Sequence, residues 1–177
     1  MSIDTIVSSV NKLGMKTIVV TGGEPMLQPD TPALLTALAA AYPCVMLMTN
    51  GTFPLEQLPS SVIKVVDIKT PWSHETVMSL SQDIIPEDPP HLRLANLYGL
   101  SHNDEIKAVV RDRREFEWYS AFCERHRLFE HVGAILVAPA WGILEPTTLI
   151  DWMKADGQPF RLNLQWHKYL YGELRGV

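Results

Sequence analysis

Short apolar, β-branched segments alternate along this chain with segments whose apolar residues have helical spacing, and this alternation constrains the fold most. The first such segment, residues 17–21 (TIVVT), is apolar or β-branched throughout, as a strand covered on both faces would be. Further strands are predicted at residues 44–49, 62–68, 105–110, 132–138 and 160–166. Strands that alternate with helices predict an α/β fold with a parallel sheet and right-handed crossover connections.

The helices are predicted from apolar residues that recur every three or four positions. In the first helix Ile3, Ile6 and Val7 share one face, and Ser2 is the expected N-cap. Further helices are predicted at residues 32–41, at 113–127 and around Leu149. An open or partial (β/α) barrel and a flat doubly wound sheet both fit this order of elements.

One domain is expected for residues 1–177, because a chain of this length with 46% hydrophobic residues can bury one core. The segment 71–103 departs from the alternation. It is rich in Pro, Ser and His, and we expect a loop-rich insert with one helix at residues 91–100. Two roles are open for this insert: it covers the ligand pocket, or it is the surface on which an electron donor docks.

Charge and hydropathy argue against two classes of partner. The net charge is −5, the pI is about 5.6 and no run of Lys or Arg exceeds two residues, so no nucleic-acid-binding face is expected. The longest apolar stretch, residues 132–140, is too short to cross a bilayer, and no signal-peptide pattern follows Met1. The two cysteines are far apart in the sequence, which fits a reducing cytoplasm.

Polar residues follow the predicted strands, at the points where the strands end. In a parallel sheet or barrel these carboxyl ends meet at one edge, where ligands bind. The segments concerned are TGGEP at 21–25, TNG at 49–51, DIKTP at 67–71, Arg111 with Asp112, PAW at 139–141 and QWHK at 165–168. Together they predict a polar pocket that can hold a zwitterion and a planar heterocycle.

The residues after the first two strands have ordinary structural explanations as well as functional ones. Gly22 and Gly23 allow a ligand to approach the backbone closely, but they also suit a simple strand-to-loop turn. Glu24 directly after them favours the ligand, because its carboxylate can bind an ammonium group. Asn50, taken in isolation, is better explained by the left-handed position of a turn than by ligand binding.

The residues after the later strands are similarly ambiguous. Asp67 and Lys69 point to the same face near a strand end, where they form either a solvated ion pair or part of the pocket wall. His167 is either a core histidine or a general acid/base that titrates near neutral pH.

Taken together, the same segments resemble those of a known family. TGGEP resembles the second signature of radical S-adenosylmethionine (SAM) enzymes, and the longer string VVTGGEPMLQP resembles the organic-radical-activating and 7-carboxy-7-deazaguanine synthase branch. TNGT, DIKTP and EIKAVVRDRREFEW agree with the synthases in order and spacing. The tail, APAWGILEPTTLIDWM followed by RLNLQWHKYLYGELRGV, is the most specific part of the resemblance. The chain is therefore similar to the 7-carboxy-7-deazaguanine synthase family over nearly its whole length.

This resemblance implies an incomplete (β/α) barrel and a radical lyase of queuosine and 7-deazapurine biosynthesis. In the family, 6-carboxytetrahydropterin is converted to 7-carboxy-7-deazaguanine after a reduced [4Fe–4S] cluster has cleaved SAM. Mg²⁺ assists in many members, homodimers are usual, and the electron donor is a protein such as flavodoxin or ferredoxin. The implied cofactors are thus SAM, a [4Fe–4S] cluster and the Mg²⁺ that many members use, and the implied substrate is a pterin.

The resemblance also implies roles for particular residues. Gly22, Gly23 and Glu24 should hold the methionyl end of SAM, and Asn50 and Lys69 should line the SAM or substrate pocket. The residues expected to close the substrate side are Gln165, His167 and Lys168. No catalytic residue and no metal ligand is assigned.

The family's cluster requires three cysteines in a CxxxCxxC loop, and this sequence has only Cys44 and Cys123. We therefore expect that the first strand and its cluster loop are absent, either because Met1 is an internal methionine or because the gene is shortened. Without that strand, the edge of the strand at 17–21 should be exposed. We expect the 177 residues alone to be inactive in reductive SAM cleavage.

Three alternative functions also fit the sequence. They are an activating enzyme of glycyl-radical type, a non-catalytic protein that binds SAM or a pterin, and a cluster-free lyase or isomerase with His167 as acid/base.

Overall fold

The computed structural model describes residues 1–73, 85–172 and 174, and within them it contains one six-stranded sheet. The strands are β1 (Thr17–Val20), β2 (Cys44–Thr49), β3 (Val62–Ile68), β4 (Glu105–Val110), β5 (Ala134–Pro139) and β6 (Phe160–Leu162). All adjacent pairs are parallel, and the spatial order β1-β2-β3-β4-β5-β6 is the order in the chain. The predicted α/β fold with a parallel sheet is confirmed.

The strand order decides between the two architectures that fit the sequence. A doubly wound sheet reverses its strand order at a switch point, whereas here each strand pairs with the next one throughout. The sheet is not closed, because β1 and β6 are its two edges. An incomplete barrel is therefore the architecture. Among the described residues β1 pairs only with β2, so the strand predicted at 17–21 lies at an edge of the sheet, as expected.

Six α-helices lie within the described residues. They are α1 (Ile3–Asn11), α2 (Thr31–Ala41), α3 (Leu94–Tyr98), α4 (Arg113–Arg125), α5 (Pro146–Asp156) and α6 (Trp166–Tyr171). Ser2 caps α1 as predicted, because its hydroxyl accepts a hydrogen bond from the Thr5 backbone N–H at 3.2 Å. No helix in these parts of the chain is long and apolar enough to cross a membrane.

The predicted boundaries differ most from the observed ones at the last strand and at the helix of the insert. Three strands, β2, β3 and β4, match the prediction at both ends. The strand predicted at 160–166 stops at Leu162, whose partner Val137 lies only two residues before the end of β5, so the sheet offers little further pairing. Residues from Trp166 onward form α6 instead. The helix predicted at 91–100 is shorter, and residues 74–84 of the insert lie outside the described part.

The core consists of alternate strand residues packed against helices. In β4 every second side chain is buried, beginning with Ile106, as the period of two requires. Leu35 and Leu38 of α2 and Tyr119 and Phe122 of α4 are almost completely buried in the same cluster. Burying an aliphatic or aromatic side chain of this size contributes about 1.5–3 kcal/mol, so these contacts hold the strand ends in place.

The described part of the insert packs against the rest of the chain. Leu92, Leu97 and Leu100 belong to the same buried cluster. The indole N–H of Trp118 on α4 donates a hydrogen bond to the Pro86 carbonyl at 3.0 Å, and the preceding loop is fixed in this way. The described residues of the insert from Pro86 to Leu100 therefore pack against the barrel.

Candidate active site at the carboxyl edge of the sheet

A pocket of about 120 Å³ lies where the first three strands end. It is lined by Thr21, Gly22, Gly23, Met48, Thr49, Asn50, Asp67 and Lys69. Four of the five residues predicted for SAM, namely Gly22, Gly23, Asn50 and Lys69, line this one pocket, which we call the first pocket. Glu24, the fifth, is joined to it by hydrogen bonds.

The Glu24 carboxylate connects the loop after β1 to the loop after β2. Its Oε1 accepts hydrogen bonds from the Met26 backbone N–H at 3.0 Å and from the Thr49 hydroxyl at 2.8 Å. Its Oε2 accepts from the Asn50 backbone N–H at 2.7 Å. A carboxylate oxygen has two acceptor sites, so these three bonds leave Oε2 able to accept from an ammonium group. The sequence predicted the ligand role of Glu24 but gave no sign of its bonds to Thr49 and Asn50.

The two glycines leave room next to the Glu24 loop. Gly22 has φ +147°, a conformation that side-chain-bearing residues rarely adopt. A Cβ added at Gly22 or at Gly23 would meet no atom within 4 Å, so space is open on the side where a ligand would lie.

Asp67 lines the first pocket and lies near two lysines. Its Oδ2 lies 2.9 Å from the Lys69 ammonium, and its Oδ1 lies 3.9 Å from that of Lys107. Asp67 and Lys69 are thus a pair, as the sequence allowed, but a partly buried one in a pocket wall, with side-chain exposures of 22% and 26%. The Asp67 carboxylate thus has ammonium groups near both of its oxygens, and Lys69 brings one of them into the pocket lining.

A second pocket of about 220 Å³ adjoins the first and shares Asp67 and Lys69 with it. Its other lining residues are Ile68, Thr70, Ser73, Val109, Arg111, Glu115 and Ala140. Glu115, which is almost completely buried, holds Arg111 by accepting hydrogen bonds from the Arg111 Nε at 2.8 Å and Nη2 at 2.6 Å. Arg111 also donates to the Trp72 carbonyl.

Thr70 gives the second pocket a polar group that is not satisfied internally. Thr70 is 1% exposed, and its hydroxyl has no hydrogen-bond partner among the residues that the structure describes. A buried hydroxyl of this kind costs about 1–3 kcal/mol unless a ligand or water pairs with it. Sequence reasoning did not single out Thr70 or Glu115. The available signal for Thr70 was its place in the strand-end segment DIKTP, directly after Lys69.

The tail residues lie elsewhere on the same edge. Gln165 lines a third pocket of about 300 Å³, together with Trp141, Glu145 and Tyr169. The rings of Trp141 and Tyr169 meet edge to face with their centroids 4.6 Å apart. His167 is exposed and Lys168 is half-buried, and neither residue lines this pocket.

Comparison with known proteins gives three relatives that match the whole chain. A 7-carboxy-7-deazaguanine synthase of Koribacter versatilis is 33% identical, and the match covers 100% of this chain and 79% of that protein. The 7-carboxy-7-deazaguanine synthase of Chlorobaculum tepidum is 35% identical with 76% of its length covered, and that of Leptospira interrogans is 31% identical with 74% covered. This chain belongs to the 7-carboxy-7-deazaguanine synthase family.

The membership confirms the resemblance that TGGEP and the tail indicated, and with it the placement in the radical SAM superfamily. It does not favour a glycyl-radical activating enzyme. No model of a protein family matches the chain. SAM and a [4Fe–4S] cluster are the cofactors that the superfamily implies.

A synthase of this family needs three cysteine ligands for its cluster, and the residues present do not fit one. Cys44 opens β2, at the edge of the sheet opposite the pockets, and Cys123 is completely buried in α4. Burial raises the pKa of the Cys123 thiol well above its ordinary value, which disfavours the thiolate that binds iron. No group of three His, Cys, Asp or Glu side chains suited to a metal ion occurs in the described ranges.

Proposed function

We propose that this protein binds SAM at the carboxyl edge of its sheet as part of the radical lyase reaction of 7-carboxy-7-deazaguanine synthesis. The substrate in this proposal is 6-carboxytetrahydropterin. The observation that carries it is the convergence of Gly22, Gly23, Glu24, Asn50 and Lys69 on the first pocket. SAM, when bound, supplies the group that abstracts hydrogen from the substrate.

Each end of the SAM methionyl group has a matching partner in the first pocket. The Glu24 Oε2 is the acceptor for its ammonium group, because it makes only one bond inside the protein in the described residues. Lys69 supplies positive charge for its carboxylate. The open space beside Gly22 and Gly23 admits the connecting atoms.

The size of the pockets supports an extension toward β4. A pocket of about 120 Å³ is smaller than the 300–1,000 Å³ or so that is typical of small-molecule sites. The second pocket adds about 220 Å³ across Asp67 and Lys69, and the two together reach that range. The nucleoside end of SAM therefore extends into the second pocket, where the Thr70 hydroxyl is available to pair with it.

The pterin is assigned to the side of the third pocket. Gln165 supplies an amide there, and Trp141 and Tyr169 supply aromatic surface for a planar ring. His167 and Lys168 are assigned to the same substrate side through the family resemblance. A Mg²⁺ requirement, a flavodoxin- or ferredoxin-like electron donor, a homodimer and a cytoplasmic location are further expectations that rest on that resemblance alone.

No step is assigned to the iron–sulfur cluster, because Cys44 and Cys123 cannot provide three ligands. We propose that the 177 residues by themselves bind SAM without cleaving it reductively. Detection of 5′-deoxyadenosine from this chain under anaerobic, reducing conditions would refute that part of the proposal.

Calorimetry with SAM tests the binding proposal directly. An ammonium–carboxylate bond in a partly buried site is worth about 1.5–3 kcal/mol, so Glu24→Gln should weaken SAM binding roughly 10–100-fold. The matched control is Glu117→Gln, since Glu117 is 60% exposed and pairs only with Arg113 on the surface of α4 among the described contacts. Equal SAM affinity in the parent and Glu24→Gln, or no binding by the parent, would overturn the proposal.

A further inference from the structure

Asn96 is a buried polar residue of the insert, and in the described part of the chain its side-chain hydrogen bonds all go to one loop. Its side-chain Nδ2 donates hydrogen bonds to the Gly51 carbonyl at 2.8 Å and to the Phe53 carbonyl at 2.9 Å. Its Oδ1 accepts from the Leu55 backbone N–H at 3.1 Å. Asn96 is 2% exposed, so the side chain replaces water for three backbone groups of residues 51–55.

The same loop is held a second time by the backbone of the insert. The Arg93 backbone N–H donates to the Gly51 carbonyl at 3.0 Å. Gly51 has φ +74°, and a Cβ there would lie 2.6 Å from the Leu92 side chain. The segment 92–96 thus lies in direct contact with Gly51.

Residues 51–55 continue from the wall of the first pocket. Asn50, which donates its backbone N–H to Glu24, directly precedes Gly51. The Gly51 N–H in turn donates to the Thr49 hydroxyl at 3.2 Å, and that hydroxyl donates to Glu24. A short path of hydrogen bonds therefore runs from Asn96 through Gly51 and Thr49 to the Glu24 carboxylate.

We propose that Asn96 is a positioning residue for the SAM pocket, which it does not line. By fixing residues 51–55 it holds the Asn50 N–H and the Thr49 hydroxyl where they orient the Glu24 carboxylate. An asparagine is suited to this, because one side chain provides two donors and one acceptor for the three backbone groups. Residues 92–96 of the insert accordingly support the loop that follows the pocket residues Thr49 and Asn50. This inference rests on the proposed SAM site.

The test compares two neighbouring buried residues of the same short helix. Asn96→Leu removes all three hydrogen bonds at similar volume, and Asn96→Ala removes them without adding bulk, in case the leucine variant does not fold. Leu97→Ala is the matched control: Leu97 is completely buried, and its truncation removes about 2–5 kcal/mol of stability without touching residues 51–55 by any described hydrogen bond. SAM affinity is measured by calorimetry on the full chain, at a temperature where circular dichroism shows each variant folded.

Two readouts separate a positioning role from a merely structural one. The Asn96 variants should bind SAM at least about ten-fold more weakly, whereas Leu97→Ala should stay within about two-fold of the parent, even though it too is destabilised. Amide hydrogen exchange in residues 49–55 of the ligand-free protein should accelerate about ten-fold in the Asn96 variants relative to β4, and should not do so in Leu97→Ala.

Each outcome decides the inference. If Asn96→Leu, Asn96→Ala and Leu97→Ala weaken SAM binding alike, the residue is only structural and the inference is wrong. If the parent itself does not bind SAM, the proposed function fails, and hydrogen exchange at residues 49–55 alone decides whether Asn96 orders the loop that orients Glu24.

Discussion

Replacement of Glu24 should destabilise the protein even when no ligand is present. The carboxylate accepts three hydrogen bonds, from the Met26 N–H, the Thr49 hydroxyl and the Asn50 N–H, at 2.7–3.0 Å. A hydrogen bond to a charged group contributes about 1.5–3 kcal/mol, but Glu24 is only half-buried and water can replace part of the loss. We therefore expect Glu24→Ala to lower the free energy of unfolding by about 2–4 kcal/mol.

Two milder variants each remove only part of the hydrogen bonds that the Glu24 carboxylate accepts. Glu24→Gln keeps one acceptor oxygen. Its amide N–H₂ then faces either the Asn50 N–H or the Met26 and Thr49 donors, so the free energy of unfolding should fall by about 1–3 kcal/mol. Thr49→Val keeps the shape of the buried Thr49 but removes its bond to Glu24 and the one it accepts from Gly51, for about 1–2 kcal/mol. Because these residues touch, the double variant should lose less than the sum of the two.

Urea unfolding at pH 7, followed by circular dichroism, measures these differences, provided that the dependence on urea has the same slope in all variants. Glu117→Gln on the exposed face of α4 is the control and should stay within about 0.5 kcal/mol of the parent. A Glu24→Ala protein as stable as this control would show that the carboxylate does not connect the two loops, and the reasoning about its bonds would be wrong.

Three further changes test other parts of the structure. Gly51→Ala should cost about 3 kcal/mol or more in urea unfolding, because the residue has φ +74° and the new Cβ would lie 2.6 Å from a buried leucine side chain; a loss below about 1 kcal/mol would contradict this. Asp104→Asn should cost about 3–5 kcal/mol, since it leaves the buried ammonium of Lys64, now 3.0 Å from the carboxylate, without a countercharge, and a thermal midpoint equal to the parent's would contradict it. Burial raises the pKa values of Tyr119 and Cys123 well above their ordinary values of 10.0 and 9.0, so these groups stay protonated in the folded state while they ionise in the unfolded one. Their contribution to stability is thus complete below about pH 9 and is lost as the pH rises. For each group that is ionised in the unfolded state but still protonated in the folded one, the free energy of unfolding should fall by about 1.4 kcal/mol per pH unit. This fall above pH 9 should be less steep in Cys123→Ala, and an equally steep fall in that variant would contradict the reasoning.

The sheet could be predicted closely because each of its central strands is a short apolar segment in which at least every second side chain is buried. Segments such as Val62–Ile68 and Glu105–Val110 are short, mostly apolar and β-branched, and polar residues or turn signals bound them, so local pattern and tertiary burial agree. The prediction of the last strand was wrong beyond Leu162. Residues after Leu162 keep an apolar alternation, but β5 ends two residues beyond the last pair, and Trp166–Tyr171 forms a helix instead.

Of the candidate site, only the residues that directly follow predicted strands could be predicted from the sequence. Gly22, Glu24 and Lys69 follow predicted strands, and parallel strands bring their carboxyl ends together, so their convergence followed from sequence. Asn96 lies in an irregular insert and gave no such signal. Thr70 belongs to the strand-end segment DIKTP, but only the structure shows that its hydroxyl is buried without a described partner.

By itself, the sequence determined the parallel strand–helix alternation, the family and the residues at the strand ends, because each of these is written in short local patterns. Only the tertiary structure decided the open sheet with its strands in chain order, and the bonds by which Glu24 reaches Thr49 and Asn50, 25 and 26 residues away. The physical reason is that hydrogen-bond partners distant in the chain are chosen by how the strands and loops pack, and no local pattern records that choice.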